Sequence, residues 1–125
     1  KLYFLGDLDS KNTLDLSHKS WLSSHFKIKK KDFKIKEVLT NTLGGILKEN
    51  NLFKIDFLNI DIEGHELEVL KSLDFRKFNI KVICVEIINF NKRSKDKGKK
   101  IINILKRNKF NLVDKSEINY IFVRK

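Results

Sequence analysis

The sequence predicts an α/β protein whose sheet is mostly parallel and closes on an antiparallel strand pair. Two observations carry that reading. From Ile55 onward, short apolar runs alternate with segments of helical period, the pattern that builds parallel strands joined by right-handed crossovers. At the end of the chain, Phe110-Asn111-Leu112-Val113 and Ile118 to Val123 flank the turn Asp114-Lys115-Ser116-Glu117. That turn is too short for a crossover, so the last pair is antiparallel.

Taken in order, Leu2-Tyr3-Phe4-Leu5 reads as a short strand stopped by Gly6-Asp7. Asp7 to His25 is polar and serine-rich without a sustained period, which predicts a long loop with at most a helical turn near Trp21. Trp21 either pins this loop to the core or touches a ligand. His25 to Lys31 alternates Phe26 and Ile28 with lysines, an edge-strand pattern continued by Phe33 and Ile35. The cluster Thr40-Asn41-Thr42 is a capping signal for a helix from about Leu43 to Asn50, weakened by Gly44 and Gly45.

Ile55 to Ile60 is an apolar run that fits a strand buried on both faces. Leu67, Leu70 and Leu73 then mark a helix ending near Ser72. Phe78 to Ile88 is a second buried strand, interrupted by a single carboxylate, Glu86. The lysine-rich stretch Asn91 to Lys100 reads as a solvated loop running into a helix that carries Ile101, Ile102, Ile104 and Leu105. The whole is expected to be one domain over 1–125, with 1–41 a strand-and-loop lead-in and 42–125 the α/β part.

Composition excludes several classes. No apolar run approaches the roughly 18 residues of a membrane span, and no signal-peptide pattern occurs. The single Cys84 makes no disulfide and lies in an apolar run, so a buried inert thiol and a cytoplasmic location are expected. A net charge of +11 invites a nucleic-acid reading. Yet among the 27 basic residues only Arg76, Arg93, Arg107 and Arg124 are arginine, the side chain that reads bases bidentately. No specific nucleic-acid partner is expected. Lys1 opens a chain without methionine, so a piece of a longer protein is expected.

The candidate site lies where the Ile55–Ile60 run gives way to helix. In open parallel sheets ligands bind at the carboxyl ends of strands, and here Asp61, Glu63, Gly64 and His65 fill that turn. Asp61 is either a helix N-cap or a ligand contact. Glu63 is either a dipole-favoured first-turn acid or a catalytic group. Gly64 permits an unusual turn or close backbone approach. His65 is either a solvated histidine or a base near neutral pH. Glu86, costly if buried alone, is expected at its strand's end facing the same crevice or beside a lysine. Asp61, Glu63 and His65 are metal-ligand types, but their spacing splays them, and no metal is expected. His18 and His25 lie too far off in sequence to join them.

Asp56-Phe57-Leu58-Asn59-Ile60-Asp61-Ile62-Glu63-Gly64-His65-Glu66, followed by Glu68-Val69-Leu70-Lys71, resembles the signature of FkbM-type S-adenosylmethionine-dependent methyltransferases. Thr42-Leu43 upstream, Val85-Glu86-Ile87 downstream and the closing Asn119-Tyr120-Ile121-Phe122 agree with it. Gly44 and Asn59 stand where the family usually carries aspartate and lysine. The resemblance implies a partial Rossmann-like methyltransferase sheet, the C-terminal half of a catalytic domain. It implies S-adenosyl-L-methionine as cofactor and O-methylation of a sugar, glycan or other hydroxylated small molecule. Asp61, Glu63 and His65 would be the catalytic group, and Asp61, Gly64 and Glu86 would contact the cofactor. The family's glycine-rich cofactor turn has no counterpart, because the five glycines form no Gly-x-Gly. The rival from another class is a basic, non-catalytic module binding nucleic acid or an acidic partner through its lysines.

Overall fold

The computed structural model describes residues 1–5, 12–89 and 91–125, which fall into two compact units. The first comprises Lys1–Thr40 with Ile62–His65, and the second Asn41–Asp61 with Glu66–Lys125.

In the first unit, β1 (Leu2–Phe4) pairs antiparallel with β2 (Lys34–Lys36), Leu2 opposite Lys36. Between them stands the helix α1 (Leu16–His25), where a loop was expected from the serine-rich composition. Its start is set by Asp15, whose carboxylate accepts from the His18 backbone N–H at 3.0 Å and so serves as an N-cap. The hydroxyls of Ser20 and Ser24 donate back to the carbonyls of Leu16 and Ser20, which lets serines sit in a helix without an apolar period. Leu22 and Phe33 are buried in this unit. The expected edge strand over His25–Lys31 does not form. Lys27 adopts a left-handed φ of 55°, and the Asp32 carboxylate accepts from Lys29 N–H, curling Lys30–Asp32 into a 3-10 turn. The early part of the predicted loop, residues 6–11, lies outside the described residues.

In the second unit, Thr42 caps α2 (Leu43–Glu49) as the sequence predicts, its hydroxyl accepting from Gly45 N–H at 3.1 Å. The strands β3 (Lys54–Ile60), β4 (Asn79–Glu86), β5 (Phe110–Lys115) and β6 (Asn119–Arg124) form one sheet in the order β3-β4-β6-β5. The β3–β4 pair is parallel; β6 is antiparallel to both β4 and β5. The sheet is therefore mixed rather than mostly parallel. The hairpin after β5 brings β6 back beside β4, so the antiparallel direction is set twice over.

The connecting helices are α3 (Glu66–Ser72) and α4 (Lys92–Arg107). α4 takes in the lysine-rich stretch expected to be loop. Asn91 and Ser94 form a reciprocal capping box that starts the helix before its lysines, and Ile101 and Leu105 bury its inner face. The core gathers Leu67, Leu70, Ile80, Ile83, Val85, Leu105, Phe110 and Phe122.

One expectation about burial is corrected. β3 is not buried on both faces: Ile60 is 4% exposed, but Phe57 is 58% exposed. Among the described strands β3 has a neighbour on one side only, so its apolar residues lack the cover that a central strand receives.

Candidate functional site

The second unit places two predicted site residues at matched positions. β3 and β4 run in parallel register from Lys54 opposite Asn79 to Ile60 opposite Val85. Asp61 follows β3 at once, and Glu86 is the last residue of β4. Two carboxylates thus end adjacent parallel strands at the same level, which is where a crevice ligand sits in an open sheet. Asp61 is exposed, whereas Glu86 is 9% exposed. Asp61 is no helix cap, because α3 begins five residues later, at Glu66.

Cys84 lies one alternation inside this lip. It is partly exposed rather than fully buried, and burial, reinforced by the Asp61 charge, pushes its thiol above the ordinary value. A raised thiol is mostly protonated near neutral pH and is a poor nucleophile. Farther back, Lys81 and Asp56 pair across β3 and β4 at 2.6 Å. The Lys81 hydrogen bond and charge hold the Asp56 carboxyl below the usual range, and Asp56 holds the lysine above its own. Both side chains are solvated, so this pair orders the strand surface without adding much stability.

The first unit holds the turn itself. Glu63 and Gly64 have φ values of 54° and 104°, so Glu63 does not lie in a helical first turn. His65 is half-buried, and its Nδ1 has no hydrogen-bond partner among the described residues. Around the turn stand residues that sequence reading passed over. Thr13 donates from its hydroxyl to the Glu63 carbonyl at 2.7 Å, and the same oxygen accepts from Asp15 N–H at 3.0 Å. His18, 3% exposed, brings Nε2 to 3.5 Å from Oε2 of Glu63. The only sequence signal for His18 is its place three residues after a capping aspartate.

Among the described residues no group of three His, Cys, Asp or Glu side chains is placed to hold a metal ion. No helix among them is long and apolar enough to cross a membrane.

The second unit is thus a mixed α/β sheet whose parallel pair, β3 and β4, leads into carboxylates at its carboxyl end. The chain belongs to the FkbM methyltransferase family: the family model described as Methyltransferase FkbM domain matches residues 3–112. Comparison with characterised proteins gave no match, and comparison with solved structures gave none.

Proposed function

We propose that this FkbM methyltransferase domain uses S-adenosyl-L-methionine to methylate a hydroxyl of a sugar, glycan or related small molecule in the cytoplasm. The observation that carries the reading is the β3–β4 register, which ends at Ile60 opposite Val85 with Asp61 and Glu86 next along each chain, in a family whose activity is methyl transfer. The cofactor would supply an electrophilic methyl group on a sulfonium centre. Asp61 and Glu86 are of the right sign for the cofactor's cationic methionine portion, and Gly64 allows close backbone approach. Glu63 and His65, in the same family-like motif of the sequence, are the groups able to take a hydrogen bond or a proton from the acceptor hydroxyl. Positioning of the two reactants would supply most of the rate, about 7–11 kcal/mol of barrier, with a base adding about 10²–10⁴-fold.

The adenosine cradle does not fit on these residues alone. No glycine-rich turn follows a strand in the sequence, and among the described strands β3 has an open edge where a further parallel strand would pair. The reading therefore assigns the cradle, and completion of a Rossmann-like sheet, to chain outside these 125 residues. Isothermal titration decides it. The 125-residue chain is expected to bind S-adenosylmethionine weakly and the complete gene product tightly; micromolar binding by the short chain would refute the division of labour. Mass-spectrometric transfer of a methyl group to sugars by the complete product tests the acceptor class.

A second reading has one observation in its favour. α3 and α4 border a groove of about 490 Å³ lined by Lys71, Lys92, Arg93, Lys97 and Lys100 against Glu68 and Asp96. Such a surface attracts polyanions through counterion release. Binding to RNA or DNA that has a defined site size and survives Asp61→Ala would favour this basic-module reading over the enzymatic one.

A further inference from the structure

Glu63 is held at two points within the first unit, its main chain by Thr13 and its carboxylate by His18. Thr13 fixes the Glu63 main chain through its carbonyl oxygen, and the Thr13 hydroxyl is itself fixed by the Asp15 N–H. His18 meets the side chain, with Nε2 at 3.5 Å from Oε2, an ion-pair distance without hydrogen-bond geometry. The two partners differ in access: the imidazole is 3% exposed and the carboxylate side chain 32% exposed. So the histidine is an interior support, and the carboxylate is the end that solvent or a ligand can reach.

The backbone under this carboxylate is costly. Glu63 has a left-handed φ, which non-glycine residues adopt uncommonly, and Gly64 follows at a φ that only glycine holds with ease. An apolar contact would tie α1 to the turn without desolvating an ionisable pair. Strained backbone that carries a half-open carboxylate on a buried support is the arrangement found where a group must be aimed.

We propose that His18 is a positioning residue: through Nε2 it aims the Glu63 carboxylate at the hydroxyl of the methyl acceptor, which donates a hydrogen bond to it. This rests on the methyltransferase reading above. Other ionisable groups around the imidazole are Asp15, whose carboxylate accepts from the His18 N–H, and Lys19, whose ammonium lies over the Tyr3 and Phe33 rings. His25 stacks on Trp21, and the Trp21 ring centroid is 5.6 Å from that of His18.

Two measurements test the assignment. In long-range ¹H–¹⁵N spectra of the labelled 125-residue chain, Glu63→Gln is expected to move the His18 Nε2 resonance and leave that of His25 in place. In the complete gene product, with S-adenosylmethionine and a panel of methyl glycosides as probe acceptors, His18→Leu is expected to lower kcat by up to about 100-fold. The KM for S-adenosylmethionine should hold. His18→Gln, whose amide nitrogen can occupy the Nε2 position, should recover most of the loss. An unmoved resonance overturns the proposal, as do equal losses in both variants that follow the folded fraction measured by circular dichroism. No methyl transfer by the wild-type product would refute the parent reading, and the role of His18 with it, whatever the spectra show.

Discussion

A Cβ placed on residue 64 would stand 3.2 Å from Nδ1 of His18, so the missing side chain of Gly64 is what lets the imidazole pack against the turn. The same Cβ would be 3.2 Å from that of Asp15, and the backbone there has a φ of 104°. Gly64→Ala therefore combines a backbone penalty with two tight contacts. Strained backbone of this kind costs about 1–3 kcal/mol, and neither neighbour is a flexible chain end. The expected result is a loss of stability in that range by urea denaturation. Amide exchange should quicken first at Glu63 and His18.

The core of the second unit is expected to be far less tolerant than its edge. Phe122 is fully buried on β6, whereas Phe57 on β3 is mostly exposed. Phe122→Ala leaves a cavity and should cost about 3–5 kcal/mol. Phe57→Ala should stay within about 1 kcal/mol, since little of its surface leaves water on folding. Equal effects in thermal melts would mean that the open edge of β3 is covered in solution.

The contrast between these phenylalanines also shows how far sequence reading reached. The apolar runs of β3, β4, β5 and β6 and the Thr42 cap were legible, because a strand's composition and a capping hydroxyl are local properties. The cover over β3 was not, since burial depends on which strands flank it. α1 escaped because its serines bond to their own backbone and leave no apolar period. Asp61 and Glu86 were legible singly as carboxylates beside apolar runs; their common level comes from the strand register. The pairing of His18 with Glu63 could not be read at all: a turn and a helix far apart in sequence meet only in the folded unit.

The thiol of Cys84 offers a pH-dependent readout of the β3–β4 lip. Burial raises its pKa first, and the negative charge of Asp61 raises it further. A raised pKa means less thiolate at a given pH, and hence slower alkylation than a free thiol. Asp61→Asn removes the second cause only. The midpoint of the iodoacetamide rate profile is expected to move down in that variant while staying above the ordinary thiol value. An unchanged profile would mean that the Asp61 charge does not reach the thiol, and would weaken the grouping of this lip as one site.

Two helical glycines should answer alanine substitution with opposite signs. At Gly44 in α2 an added Cβ would meet Phe78 at 3.5 Å and the Ser72 carbonyl oxygen at 3.7 Å, both ordinary contacts. Alanine there gains helix propensity worth up to about 1 kcal/mol over glycine, less near a helix end. Gly44→Ala is expected to raise stability by a few tenths to about 1 kcal/mol. At Gly98 in α4 the added Cβ would stand 2.6 Å from Cγ2 of Ile87, a distance real Cβ atoms do not adopt. Ile87 is buried and β-branched, so its side chain cannot swing aside as a lysine would. α4 would have to shift from Ile87, and overpacking of that sort costs about 1–3 kcal/mol, more than the propensity returns. Gly98→Ala is therefore expected to lower stability. Denaturant midpoints of the two variants, measured side by side, separate propensity from packing because the substitution is the same in both. A rise at both positions would show that α4 can move outward from Ile87 at little cost.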